Sequence, residues 1–124
     1  MMLLALDIAT ALGAAWGKAG AQPRYATIDL RHPAGTPGVM LNLAEWLGPL
    51  CTAIEPQVVV FESPYMARGL KGGMPQNAHT ARRLYGMVSY DETLCLKRGI
   101  RCLEASAPEI TKFFLGKSAP MKRA

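Results

Sequence analysis

Two stretches, Met2-Leu3-Leu4-Ala5-Leu6-Asp7 and Val58-Val59-Val60-Phe61-Glu62, decide how this chain folds. The first is a short apolar run that ends in an acid, as a buried strand does where it surfaces. The second is continuous and β-branched, which suits a central strand buried on both faces, and it too ends in an acid. Working outward, residues 11–16 and 24–30 are candidate strands, and Gly17, Gly20 and Pro23 supply the turn between them. Three consecutive antiparallel strands are expected there. His32-Pro33-Ala34-Gly35-Thr36-Pro37-Gly38 is a loop by composition. From Val39 the apolar residues Leu43, Trp46, Leu47, Leu50 and Ile54 fall at helical spacing, and Pro56 closes the helix.

Beyond Glu62, residues 63–75 hold Pro64, Gly69, Gly72, Gly73 and Pro75 together with Arg68 and Lys71, a long basic loop. A second helix is expected over about residues 76–98. Ala81, Leu84, Tyr85, Val88 and Cys95 share one face, and Gly86 and Ser89 put small residues on an adjoining one. Gly99 ends that helix. Residues 100–105 form another strand. Ser106 and Glu109 make a capping box for a short helix to about Leu115. The order β-β-β-α-β-α-β-α predicts an α/β fold, a mixed five-stranded sheet with helices on its faces, in one domain over residues 1–124.

Composition narrows the function classes. Half the residues are apolar and 19% are charged, enough to fill a core and too apolar for a disordered chain. Fourteen Lys and Arg against nine acids give a net charge of +5, which suits a polyanionic partner. Cys51, Cys95 and Cys102 form no CxxC pair and sit in apolar stretches. They are expected as buried reduced thiols of a cytoplasmic protein, without a disulfide framework or zinc site. The apolar N-terminus is interrupted by Asp7 and has no basic flank, so neither a signal peptide nor a membrane span is expected.

The chemistry rests on Asp7 and Glu62. If their strands are parallel neighbours, the two carboxylates lie side by side, about 4.8 Å apart. Such a pair could grip a divalent ion of the Mg²⁺ class, which takes oxygen ligands and keeps several waters. Two ions about 4 Å apart can drive phosphodiester hydrolysis. Each acid taken singly equally marks the place where a strand meets solvent.

Leu4-Ala5-Leu6-Asp7-Ile8-Ala9-Thr10 resembles the first strand of the RuvC-like Holliday-junction resolvases, of the phage or prophage type. Phe61-Glu62-Ser63-Pro64-Tyr65-Met66-Ala67 resembles their second acidic motif, in which an aromatic three residues after the Glu stacks on a base. The resemblance implies a ribonuclease-H-like fold and a metal-dependent crossover-junction endodeoxyribonuclease that serves DNA recombination and repair. It implies Asp7 and Glu62 as catalytic ligands of Mg²⁺ or Mn²⁺, and Tyr65 as the stacking residue. Gly116 and Lys122 match a Gly and a later Lys that contacts phosphate, which makes Lys122 a catalytic candidate. Arg68, Lys71, Lys112 and Lys117 join Lys122 and Tyr65 as DNA-binding candidates. The helix at 76–98 matches a dimerisation helix, and a dimer suits the two-fold symmetry of a four-way junction.

One element of the family pattern is not matched. The resolvases close with a helix that carries one or two further acids, whereas this sequence stops at Ala124. The expectation is a C-terminally truncated domain with a bare apolar patch on its sheet. Asp91, Glu92, Glu104 and Glu109 do not obviously replace the missing acid. Three rivals stay open: a catalytically incomplete junction-binding module, a fragment of an actin-like or sugar-kinase ATPase, and an inactive remnant. The ATPase fold shares an Asp followed by small residues and Thr, as at Asp7 to Thr10, but Ala11-Leu12-Gly13 is poor in glycine for a phosphate hairpin.

Overall fold

The computed structural model describes residues 1–62 and 78–115, with Ala107 in backbone alone. Three strands open the chain: β1 (Met2–Asp7), β2 (Ala11–Lys18) and β3 (Arg24–Asp29). Helix α1 (Thr36–Ile54) and strand β4 (Val58–Glu62) follow. Helix α2 (Ala78–Arg98), strand β5 (Arg101–Glu104) and helix α3 (Ala107–Leu115) complete the described chain. The strands form one sheet in the order β3-β2-β1-β4-β5. β1–β2 and β2–β3 pair antiparallel, and β1–β4 and β4–β5 pair parallel. The mixed sheet expected from the element order is the one observed.

Strand alternation sorts the side chains into two cores. Leu4, Leu6, Leu12, Ala14, Val59 and Phe61 face α1 and α2, and pack with Val39, Leu43, Leu47, Leu84, Met87 and Cys95. Leu3, Ala5, Val58 and Val60 face the other way and pack with Phe114 of α3. The first layer is broad. Among the described residues, the second is a single short helix that leaves much of that face open. Tyr25 is 71% exposed there, and Leu103 and Leu115 are exposed too.

Two details differ from the sequence reading. Helix α1 begins at Thr36, inside the stretch expected as loop, because Pro37 fits a first helical turn that has no use for its missing N–H. Gly38 then packs under the His32 ring, where an added Cβ would come within 2.1 Å of Nδ1. On α2 the buried row is Leu84, Met87, Asp91 and Cys95, whereas Tyr85 is exposed. The small patch at Gly86 accepts Met40 of α1, whose Sδ lies 3.6 Å from the position of an added Cβ.

Other expectations hold. Gly99 ends α2 at a φ of 71°, with the Ile100 N–H donating to the Cys95 carbonyl at 2.9 Å. The capping box is formed: the Ser106 N–H donates to Glu109 Oε1 at 2.9 Å, and the Glu109 N–H to Ser106 Oγ at 3.3 Å. Trp16 and Trp46 are half-buried against the larger core. All three cysteines are free, Cys51 and Cys95 buried and Cys102 half-buried.

Candidate active site

β1 and β4 run parallel, and Asp7 stands opposite Glu62 at the last position of their ladder. Residues paired in this way project to the same face of the sheet. Here that is the α3 face, shared with Ala5 and Val60. Asp7 is exposed and Glu62 half-buried, so both carboxylates reach solvent. The strand pattern alone thus brings together the two acids that the sequence singled out.

The two acids stand in a cleft of about 320 Å³ between the open sheet and α3. Small residues of the α3 face, Ala5, Gly13 and Ala15, line it together with Tyr25, Thr27, Ile110 and Thr111. Gly13 lies opposite Asp7 on β2, and an added Cβ there would sit 3.4 Å from Asp7 Cβ and 3.9 Å from Oδ2. A glycine at this place leaves room beside the carboxylate. α3 is seated by Phe114, whose ring lies 3.6 Å from where a Gly17 Cβ would be, and Phe113 meets Phe114 edge-on at 5.2 Å.

The remaining acids are elsewhere. Glu104 pairs with Phe61, so it projects to the α1–α2 face, away from Asp7 and Glu62. Glu109 is engaged in the capping box. Its Ser106 hydrogen bonds, backbone first, hold its carboxyl below the usual range. Asp29 ends β3 at the same end of the sheet. It lies two strand spacings, about 10 Å, from β1. Its carboxylate accepts a bidentate pair of hydrogen bonds from Arg31, Nε to Oδ1 at 3.0 Å and Nη2 to Oδ2 at 2.6 Å. That contact lowers the Asp29 pKa to about 2. Asp91 is buried in the opposite core. Among the described residues, no group of three or more His, Cys, Asp and Glu side chains is placed to hold a metal.

Two hard-oxygen donors beside an open cleft match a Mg²⁺-class ion that keeps most of its water shell. They match a soft or fully protein-ligated metal poorly. Of the basic candidates, Lys112 lies exposed on α3, next in sequence to the cleft residue Thr111. Tyr65, Arg68, Lys71, Lys117 and Lys122 lie outside the described residues, as does the expected loop at 63–75. His79 is exposed at the start of α2. The His32 Nδ1 accepts the Ala34 N–H at 2.9 Å, a local turn contact. The sequence reading missed Tyr25, which reaches the cleft from β3. Its only signal was the alternation that places it on the face of Thr27 and Gly13.

No protein-family model and no curated protein matches the sequence. Solved structures do match in shape. Thermus thermophilus RuvC in complex with a Holliday junction substrate aligns at a TM-score of 0.66 and 9% identity, covering 100% of this chain and 84% of that one. A second Thermus thermophilus RuvC structure aligns at 0.62 and 11% identity, covering 100% and 86%. At such identities the likeness is one of fold, and the chain has the ribonuclease-H-like fold of RuvC.

Proposed function

We propose that this chain is a structure-selective nuclease that binds four-way DNA junctions and hydrolyses phosphodiesters with Mg²⁺ or Mn²⁺. The observation that carries the reading is the Asp7–Glu62 pair, set on one face at the C-terminal ends of two parallel strands in a RuvC-like fold. The net charge of +5 and the junction-bound state of the similar RuvC support branched DNA as the partner. Asp7 and Glu62 would hold the ion through carboxylate oxygens. When bound, such an ion supplies an activated water and neutralises charge on the phosphate.

The chain's own residues do the rest. Asp7 and Glu62 concentrate negative charge where a polyanion must come, so the bare site disfavours phosphate and a cation reverses that. Ala5, Gly13 and Ala15 leave space for a strand to lie against the sheet. Lys112 offers a phosphate contact. Tyr65, Arg68, Lys71, Lys117 and Lys122 belong to the proposal as base-stacking and backbone-binding residues, with Lys122 also catalytic. So does a homodimer through residues 76–98, where Leu96, at 84% exposure, and Tyr85 lie on the solvent face of α2. A cytoplasmic setting completes the proposal; no described helix is long and apolar enough to cross a membrane.

One observation favours a second reading. Among the described residues, two acids line the cleft and no third carboxylate joins them. A junction-binding module that does not cut is consistent with that donor set.

The test incubates the chain with a labelled four-way junction and a matched linear duplex, in Mg²⁺, Mn²⁺ or chelator, and resolves complexes and products. Symmetric metal-dependent nicks that vanish in Glu62→Gln support the nuclease. Salt-sensitive junction binding without nicks supports the binding module. Equal affinity for junction and duplex overturns both.

A further inference from the structure

Charge is spread unevenly along this chain. Residues 63–90, which follow Glu62 directly, contain Arg68, Lys71, Arg82 and Arg83 and no Asp or Glu, so four of the five net positive charges fall in this one segment. Its described part is the N-terminal part of α2, where His79, Arg82 and Arg83 stand at i, i+3 and i+4 and share one side of the helix. His79 and Arg82 are exposed, and Arg83 is half-buried. Two hydrogen bonds fix where that side lies. Arg83 Nε donates to Thr36 Oγ1 at 3.4 Å, and Arg98 Nη1 donates to Thr52 Oγ1 at 3.0 Å. The helices α1 and α2 therefore run side by side in one direction, with their N-terminal ends together. α1 follows β3 and α2 follows β4, and both strands run parallel to β1. The N-terminal ends thus stand at the end of the sheet that carries Asp7 and Glu62.

We propose that Arg82 and Arg83, with His79 beside them, form a second DNA contact that grips backbone phosphates of a double-stranded arm. The inference rests on the reading of the chain as a DNA-binding protein, and adds where a duplex runs relative to the cleft. The cleft opens on the α3 face, whereas α1 and α2 cover the other face. The two surfaces share one end of the sheet but lie on opposite sides of it. A duplex, whose two backbones flank a major groove about 12 Å wide, can present phosphates to both.

The acids at this end do not cancel the two arginines. Neither α1 nor α2 has an acid in its first turn. Asp29 is taken by Arg31, the one ion pair among the described residues, and Glu104, at the end of the edge strand β5, pairs with neither arginine. The guanidinium fork suits phosphate, which it can meet with two parallel N–H donors. Thr36 holds Arg83 by Nε alone, which orients the side chain and leaves its Nη donors for a phosphate.

The experiment measures binding of the full chain to a labelled linear duplex by fluorescence anisotropy, without divalent metal, over a series of salt concentrations. Neither a junction nor cleavage enters the readout. A salt slope that responds as expected while junction nicking fails would keep this surface and remove the nuclease reading. Two double variants carry the same loss of charge. Arg82→Ala/Arg83→Gln strips the surface, and the glutamine keeps a donor for Thr36. Lys97→Ala/Arg101→Ala strips two exposed cations at the opposite end of the sheet. The slope of log affinity against log salt is expected to become shallower by about 1.8 in the first variant, ~0.9 for each phosphate contact, and to stay at the wild-type value in the second. Should the first variant fail to fold, Arg82→Ala alone, at an exposed position, is read the same way with a change of about 0.9. Three results would each overturn the assignment: a wild-type slope in the Arg82 and Arg83 variants, an equal change in both double variants, or no duplex binding by the wild-type chain at the lowest salt.

Discussion

Glu104 pairs with Phe61, one residue short of Glu62, and that single step turns its side chain to the opposite face of the sheet from Asp7 and Glu62. In sequence the two glutamates look alike, since each ends a strand and precedes a loop. The ladder distinguishes them, because successive residues of a strand alternate faces. Removing the charge of Glu62 or Asp7, as in Glu62→Gln or Asp7→Asn, is expected to lower metal-dependent junction nicking by about a hundredfold or more, ~3 kcal/mol in the barrier. Glu104→Gln is expected to stay within about twofold of wild type, since no ligand is removed. Initial nicking rates, with Mn²⁺ binding followed by electron paramagnetic resonance, check both. Equal loss in Glu104→Gln would sink the two-carboxylate site.

Tyr25 reaches the cleft from β3 while remaining 71% exposed, so its ring carries little of the fold. An exposed aromatic beside the proposed metal site is placed to stack on a base or sugar if DNA lies in the cleft. Tyr25→Ala is expected to weaken junction affinity by about 5- to 150-fold, corresponding to the 1–3 kcal/mol of one base stack. Its melting temperature should stay close to that of the wild type. Fluorescence anisotropy with a labelled junction, at fixed salt, reads the effect. Unchanged affinity would remove Tyr25 from the DNA-binding surface.

How much of this was legible in the sequence depended on which cue each residue obeyed. β1 and β4 were readable because an apolar run ending in Asp7 or Glu62 has one natural placement, buried with its acid at the rim. The capping box at Ser106 and Glu109 was readable because its spacing is set by one helical turn. Helix α2 was harder. Its buried row passes through Asp91, and an acid at a core position inverts the hydrophobic cue, so Tyr85 was assigned a place that Met87 and Asp91 hold. The start of α1 was obscured because Pro37 and Gly38 signal a loop by composition. In three dimensions they are a first-turn proline and a contact with His32. Tyr25 was invisible as a site residue because its role depends on how little of the sheet α3 covers.

The Gly38–His32 contact can be tested directly. An added methyl would meet His32 Nδ1 at 2.1 Å and Cβ at 2.5 Å, and the ring is held by the N–H of Ala34. Gly38→Ala is therefore expected to destabilise the fold by about 1–3 kcal/mol, the usual penalty of overpacking, despite the better helix propensity of alanine. Removing the whole side chain in His32→Gly/Gly38→Ala should recover most of that loss. Urea denaturation of the two single variants and the double variant closes the cycle. Additive losses would show that the ring is not what excludes the methyl.

Asp91 gives the fold an unusual dependence on pH. Its side chain is fully buried and unpartnered, and burial first, then Cys102 and Glu92, pushes its pKa from 3.8 up to about 8. Between these values the folded chain holds a proton that the unfolded chain has released. Unfolding free energy therefore falls as pH rises through this window, by up to about 1.4 kcal/mol per pH unit, and levels off above the folded value. The Asp91 contribution is thus most favourable at the acid end of the window, whereas paired carboxylates such as Asp29 are most favourable at the other. Asp91→Asn is isosteric and cannot ionise, so it should remove the slope and unfold at higher denaturant than wild type near pH 8. Urea unfolding of both proteins at pH 5, 6, 7 and 8 measures it. Parallel curves for the two proteins across that range would mean that Asp91 is ionised in the fold and finds a partner there.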